Sequence, residues 1–181
     1  EVTLIAGPTA VPLPSVSDVV RVRGAHEMHR AVMARAGRMD VVIMAAAVAD
    51  YAPAERQPQK VTKGADTLTL VLARTPDILK ELGAARLKTG SGPLLVGFAA
   101  ETEEVIARAK AKRERKHVDL IVANDVSRSD AGFDVETNQV TLVDDGGAET
   151  LPLQTKTQAA GAILDRVETL LQRSTLKTPV S

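Results

Sequence analysis

Apolar positions along this chain follow two patterns that alternate, short continuous runs and longer stretches with helical spacing. Residues 2–6 form an apolar run stopped by Gly7-Pro8, and residues 19–22 form a second short run. A helix is predicted over 25–38, where Met28, Ala31, Val32, Ala36 and Met39 recur at helical spacing between His26, His29, Arg30 and Arg35. Residues 40–44 read as a buried central strand, because both faces are apolar.

The rhythm breaks over residues 50–64, where Pro53 and Pro58 interrupt a stretch with no periodicity. That length predicts a functional loop. Residues 67–72 alternate at first, as an exposed strand or flap does. Thr75 reads as an N-cap with Pro76 in the first turn, opening a helix that buries Ile78, Leu79, Leu82 and Leu87. A strand is predicted over 93–100, and a helix over 103–116 that is acidic at its start and basic at its end. Residues 118–123 form another central strand, ending at Asn124-Asp125. The runs 139–143 and 149–153 flank Asp144-Asp145-Gly146-Gly147 as an edge hairpin. Residues 157–171 form a closing helix, and the polar tail after Arg173 is expected to fray.

Strands alternating with helices define an α/β domain with a largely parallel sheet. The length of 181 residues, with 44% apolar and 25% charged residues, suits one domain with a full core. Lys+Arg and Asp+Glu both count 23, so no global field favours nucleic acid or an anionic membrane. Cysteine is absent, which excludes disulfides, thiolate metal sites and cysteine nucleophiles and agrees with a cytoplasmic protein. The apolar run 41–49 is too short to cross a bilayer. The chain starts at Glu1, already close to a strand, which points to a fragment or processed product.

Ligands of open parallel sheets bind beyond the carboxyl ends of the strands. Three strands here end in sequences rich in small residues: Ala45-Ala46-Ala47-Val48-Ala49-Asp50-Tyr51, Gly97-Phe98-Ala99-Ala100-Glu101-Thr102 and Ala123-Asn124-Asp125-Val126. Helix packing and turn formation account equally well for any one of them. Basic residues crowd residues 108–116, with Lys112 and Lys116 one turn apart, and Lys60 and Lys63 end the prolyl loop. A solvated face is the simpler reading of that helix taken alone. There is no Gly-x-Gly-x-x-Gly fingerprint, no Walker-type loop and no nucleophile elbow, and His26, His29 and His117 form no metal or triad pattern.

Together with Thr75-Pro76-Asp77-Ile78-Leu79, these three strand-end blocks resemble, in order and spacing, the signature blocks of bacterial phosphopantothenoylcysteine synthetase, the phosphopantothenate–cysteine ligase of coenzyme A biosynthesis. The resemblance covers nearly the whole chain. It implies a Rossmann-like, mostly parallel sheet flanked by helices, with an edge hairpin and a mobile flap, in one ligase domain over 1–181. It implies a reaction in which the carboxylate of 4'-phosphopantothenate attacks the α-phosphate of CTP. The amine of cysteine then attacks the acyl-cytidylate, with Mg2+ or Mn2+ as the cation. Backbone groups of Met44, Ala45 and Ala46 are then expected at the nucleotide, which suits a base distinguished by fixed donors and acceptors. Asp50 matches a nucleotide-binding aspartate and is assigned to the cation. Pro76, Asp77, Ile78 and Leu79 match a helix start that contacts the nucleotide. Phe98 matches a position packed on it, and Lys112 and Lys116 match two nucleotide-binding lysines.

Lys60 matches the lysine of the flap and is the leading catalytic candidate. The family pattern Lys-x-Lys-Lys reads Lys60-Val61-Thr62-Lys63 here, so one lysine has become threonine. The family's amino-terminal strand and substrate loop, whose asparagine serves the second half-reaction, have no counterpart ahead of Glu1. The resemblance further implies a homodimer and, in the parent protein, fusion to a flavin-dependent decarboxylase, the only place where flavin would act. Two other readings compete. One is a Rossmann-type dinucleotide-binding module, which the missing glycine fingerprint disfavours. The other is a truncated fragment that retains dimerisation only.

Overall fold

The computed structural model describes residues 1–55, 59, 67–126 and 136–177. In chain order the elements are β1 (Thr3–Ala6), β2 (Asp18–Arg21), α1 (Ala25–Ala36), β3 (Val41–Met44), β4 (Tyr51–Pro53), β5 (Leu72–Arg74), α2 (Ile78–Thr89), β6 (Leu94–Glu101), α3 (Val105–Lys116), β7 (Leu120–Asp125), β8 (Thr137–Asn138), β9 (Val140–Asp144), β10 (Gly147–Thr150), β11 (Gln154–Thr155) and α4 (Lys156–Lys177). They cluster into two compact units, Glu1–Ala34 with Ala47–Ile78, and Arg35–Ala46 with Leu79–Ser181.

The first unit holds two small ladders. β1 and β2 pair in parallel, Thr3 opposite Asp18, and the ladder is extended at both ends by Asp18 N–H to the Val2 carbonyl and Val22 N–H to the Ala6 carbonyl. α1 follows from the spacing of Met28, Val32 and Ala36, all buried on one stripe. Glu27 in its first turn reaches back to accept the Arg23 amide at 2.9 Å. β4 and β5 form an antiparallel ladder with Tyr51 opposite Arg74. Of the alternating run 67–72, Leu72 enters that ladder and the Val71 carbonyl accepts the Ala54 amide beyond it at 2.9 Å; Leu68, Leu70 and Val71 are exposed.

The second unit is built on a five-stranded sheet in the order β10-β9-β7-β6-β3. β3, β6 and β7 are parallel, whereas β9 and β10 are antiparallel additions. This is the mostly parallel α/β sheet with an edge hairpin that the alternating pattern predicts. Alternation along the strands divides the core between two faces. Leu94, Val96, Leu120, Val122, Val140 and Leu142 pack with Ala159, Ile163, Val167 and Leu170 of α4. Leu95, Ile121 and Val143, all fully buried, point to the opposite face, where Leu79 of α2 meets Gly97 and α3 packs on β7 and β9. There α2 and α3 approach so closely that a Cβ on Gly83 would lie 1.9 Å from the Lys116 carbonyl oxygen, so only glycine fits.

Six local expectations are corrected. Leu87 of α2 is exposed rather than buried, and β4 at Tyr51–Pro53 lies in the stretch read as a loop. β3 is an edge strand of this sheet, with Ile43 exposed, because its all-apolar composition does not reveal how many neighbours a strand has. α2 starts at Ile78, and the Thr75 hydroxyl donates to the Ala49 carbonyl at 2.6 Å, so Thr75 ties two chain segments together ahead of the helix. Glu103 and Glu104 precede the first turn of α3, and Glu104 adopts a left-handed conformation (φ 47°) with no side-chain cap. α4 continues to Lys177, past the point where fraying was expected, since helical hydrogen bonding does not require an apolar stripe in every turn.

Candidate active site

Register determines where the strand ends lie. Met44 is opposite Gly97 across β3 and β6, Gly97 is opposite Ile121 across β6 and β7, and the second ladder runs on to Glu101 opposite Asp125. The carboxyl ends of β3, β6 and β7 therefore share one edge. Because β3 stops at Met44, β6 from Phe98 to Glu101 has a ladder partner on its β7 side and none from β3. Ala45 and Ala46, both exposed, follow directly at this step. Small side chains there leave main-chain groups open to a ligand.

Gly97 also locates α2. A Cβ at this position would lie 2.4 Å from Leu79 Cδ2 and 3.0 Å from Ile121 Cδ1. Leu79 thus occupies the space above the strand that glycine vacates, which sets the start of α2 beside the strand ends. Phe98 alternates to the α4 face of β6, beyond the core cluster, and is 36% exposed. A partly exposed ring at a strand end is a stacking surface.

Lys112 reaches this edge through an ion pair, its Nζ 3.1 Å from Glu101 Oε1. Arg108 approaches the same carboxylate at 3.9 Å and Glu103 at 3.7 Å. Lys116, one turn further along α3, ends the helix with its carbonyl against Gly83. The two lysines therefore occupy different levels of the helix. Glu101 is absent from the residues that sequence reasoning nominates. The signal available was an acid closing a strand, eleven residues ahead of Lys112, but nothing local says that the two meet.

In the first unit the β4–β5 ladder brings Asp50 to the segment that opens α2. The Thr75 amide donates to the Asp50 carbonyl at 2.9 Å, so Asp50 and Pro76-Asp77 are neighbours although distant in sequence. The Arg74 guanidinium lies 5.9 Å from the centroid of the Tyr51 ring. A hydrogen bond with Tyr51 is the main influence raising the Arg74 pKa above its ordinary value. Lys60 and Lys63, and with them the flap, lie outside the described residues. Among the described residues no three His, Asp or Glu side chains converge as a metal-binding group.

The opposite, amino edge of the second unit is different. A cavity of about 420 Å3 is lined there by Asp40, Arg86, Arg113, Asp119, Asp145 and Arg173, among others. Arg86 is already engaged, by Asp119 and by the carbonyls of Pro93 (3.2 Å) and His117 (2.8 Å). Asp119 also accepts the Leu95 amide at 2.7 Å. These charges hold the sheet to α2. Nearby, buried Asp144 accepts from Arg166 at 2.6 Å and from the Gly146 amide at 2.7 Å, which fixes the hairpin turn. The Asp144 hydrogen bond is the main cause that raises the Arg166 pKa. No described helix is long and apolar enough to cross a membrane.

A mostly parallel sheet with small residues, an exposed ring and an ion-paired lysine at its carboxyl edge defines an α/β domain of the open-sheet class. Residues 1–171 match the family described as DNA/pantothenate metabolism flavoprotein C-terminal domain, and the chain belongs to it. The coenzyme A biosynthesis bifunctional protein CoaBC of Vibrio vulnificus (strain YJ016) is 41% identical over 172 residues, covering 94% of this chain and 42% of that protein. CoaBC of Escherichia coli (strain K12) is 42% identical over 171 residues, 93% of this chain and 41% of the relative. The chain spans about two fifths of the length of these curated relatives. Among solved structures, the C-terminal domain of CoaBC superposes with a TM-score of 0.75 at 37% identity, over 94% of this chain and 74% of that one. The DNA/pantothenate metabolism flavoprotein from Streptococcus pneumoniae, at 18% identity and a TM-score of 0.74, shares the fold.

Proposed function

We propose that this chain carries the ligase half of a coenzyme A biosynthesis protein, joining 4'-phosphopantothenate to L-cysteine at the expense of CTP. The observation that carries this reading is the common edge formed by 44–46, 97–102 and 123–126, the segments that resemble the synthetase signature. Membership of the family and the names of the relatives support it. A likeness at the level of the fold adds a Cab2 variant that was solved with phosphopantothenate-cysteine.

In this reading a carboxylate oxygen of phosphopantothenate attacks the α-phosphorus of CTP and pyrophosphate leaves. The cysteine nitrogen then attacks the acyl carbon, CMP leaves, and the amine proton passes to solvent. Negative charge builds on phosphate oxygens in the first step, so positioned ammonium groups are the expected stabilisers. Lys60 is assigned that role at the α-phosphate, and Lys112 and Lys116 bind the polyphosphate. Main-chain groups of Met44, Ala45 and Ala46 read the base, Phe98 packs on the nucleotide, and Pro76, Asp77, Ile78 and Leu79 line it. Asp50 is the protein ligand of a Mg2+ or Mn2+ ion that arrives with CTP. A single carboxylate fits such an ion, because Mg2+ keeps several waters and takes its other ligands from phosphates. We further infer a cytoplasmic homodimer, fused in its parent protein to a flavin-dependent decarboxylase that holds the flavin.

The test is pyrophosphate release from CTP, Mg2+ and phosphopantothenate by the full-length parent protein, followed by amide formation on addition of cysteine. Release that requires CTP and disappears in Lys60→Ala is expected. Equal release from the Lys60→Ala variant removes Lys60 from the mechanism, and no release from any nucleotide overturns the reaction.

A further inference from the structure

Lys112 does not stand alone at the carboxyl edge. Its ammonium group is 3.1 Å from Glu101, a carboxylate whose side chain is only 12% exposed. Glu101 is the last residue of β6, and the strand is held rigid up to that point. It pairs with Asp125 in the β6–β7 ladder, and its carbonyl accepts the Val126 amide at 3.0 Å, which carries the ladder past the strand end. The carboxylate is therefore fixed by the sheet, whereas a lysine is a flexible four-carbon stem with a point charge at its tip. Lys112 starts from the eighth position of a twelve-residue helix that runs away from this edge. Without a fixed acceptor, its ammonium has no reason to extend back toward the strand ends.

We propose that Glu101 is a positioning residue, which draws the Lys112 ammonium up to the sheet edge and holds it where a nucleoside triphosphate is bound. The proposal rests on the nucleotide-binding role assigned to Lys112 above. Glu101 acts by geometry: it accepts one hydrogen bond from the lysine, and the two remaining ammonium protons are left for phosphate oxygens. Its negative charge is not the useful property, because a carboxylate beside a phosphate site opposes binding. Arg108, 3.9 Å away on the same carboxylate and 48% exposed, offsets part of that charge.

This division separates positioning from simple electrostatics. Glutamine keeps an acceptor oxygen at nearly the same place, and alanine removes it. Calorimetry of CTP with Mg2+ at low salt is expected to give a Kd about tenfold weaker for Glu101→Ala and for Lys112→Ala, but within about twofold of the parent for Glu101→Gln. The double variant Glu101→Ala with Lys112→Ala should bind no more weakly than Lys112→Ala alone, because the effect of one residue passes through the other. Thermal unfolding is followed in parallel. If Glu101→Ala does not fold, Glu101→Asp replaces it; its shorter arm is expected to weaken binding where Glu101→Gln does not. Tighter binding by both Glu101→Gln and Glu101→Ala overturns positioning and makes Glu101 an electrostatic brake. Normal affinity of Glu101→Ala, or of Glu101→Asp, beside a weakened Lys112→Ala overturns the proposal and leaves the CTP reading standing. Normal affinity of Lys112→Ala overturns it by removing Lys112 from the site, and no CTP binding by the parent chain overturns both readings.

Discussion

The two edges of the central sheet are made by the same strands, yet they use charge in different ways. At the amino edge Arg86, Asp119, Arg166 and Asp144 are spent on the protein itself, bonding carbonyls, amides and one another. At the carboxyl edge the exposed Ala45 and Ala46 follow β3, while the partly exposed Phe98 and the Glu101 that pairs with Lys112 stand on β6, which outruns β3. A cavity of about 420 Å3 lies at the first edge, and Phe98 and Lys112, nominated from sequence, lie at the second. A cavity whose Arg86 and Asp119 already have structural partners is weaker evidence for a ligand than a rigid edge with open main chain. The difference teaches that charges bonded to the main chain mark scaffold, whereas exposed small residues and a ring beside a side-chain ion pair mark a candidate site.

Substitutions should sort along the same line. The largest effect is expected for Arg166→Ala, which leaves the Asp144 carboxylate, 1% exposed, without its cation. A stability loss of about 3–5 kcal/mol by urea denaturation is expected, with CTP affinity of the folded fraction unchanged. A matching loss of affinity would erase the distinction between the edges. Gly97→Ala comes next, because the new Cβ meets Leu79 and Ile121 and must displace the start of α2. It should cost about 1–3 kcal/mol of stability and also weaken CTP binding, so it is the variant in which both readouts move.

Phe98→Ala should weaken CTP binding by about 1–3 kcal/mol with little change in unfolding, as expected for a ring used by a ligand rather than by the core. Asp50→Ala should do the same by calorimetry in the presence of Mg2+, and normal affinity in both variants would move the site elsewhere. The smallest effect is expected for Lys116→Ala, about 0.2–1 kcal/mol, fading as salt rises. A flat salt profile of CTP affinity would return the basic face of α3 to solvent.

Much of this architecture was legible without coordinates. Alternating apolar runs and helical stripes sufficed for the order of the main strands and helices, the parallel core of β6 and β7, the hairpin at Asp145-Gly146 and the closing helix α4, because those signals are local, whereas the short strands β4, β8 and β11 carried no such signal. The small-residue strand ends nominated the carboxyl edge, since open parallel sheets bind ligands there. Composition could not reveal that β3 lies at the border of its sheet, because an apolar strand looks the same with one neighbour or two. Thr75 was misread as a cap because α2 starts only at Ile78; its hydroxyl donates to the Ala49 carbonyl, which only the fold brings near.

What the residue order determined by itself is therefore the identity and sequence of the main elements, together with a set of side chains nominated for chemistry. What only the tertiary structure decided is which of them meet: Leu79 with Gly97, Lys112 with Glu101, Asp50 with the start of α2. Hydrophobic period and turn chemistry act over a few residues and can be read along the chain. Pair contacts depend on register and packing between segments far apart in sequence, and these are set only when the whole core closes.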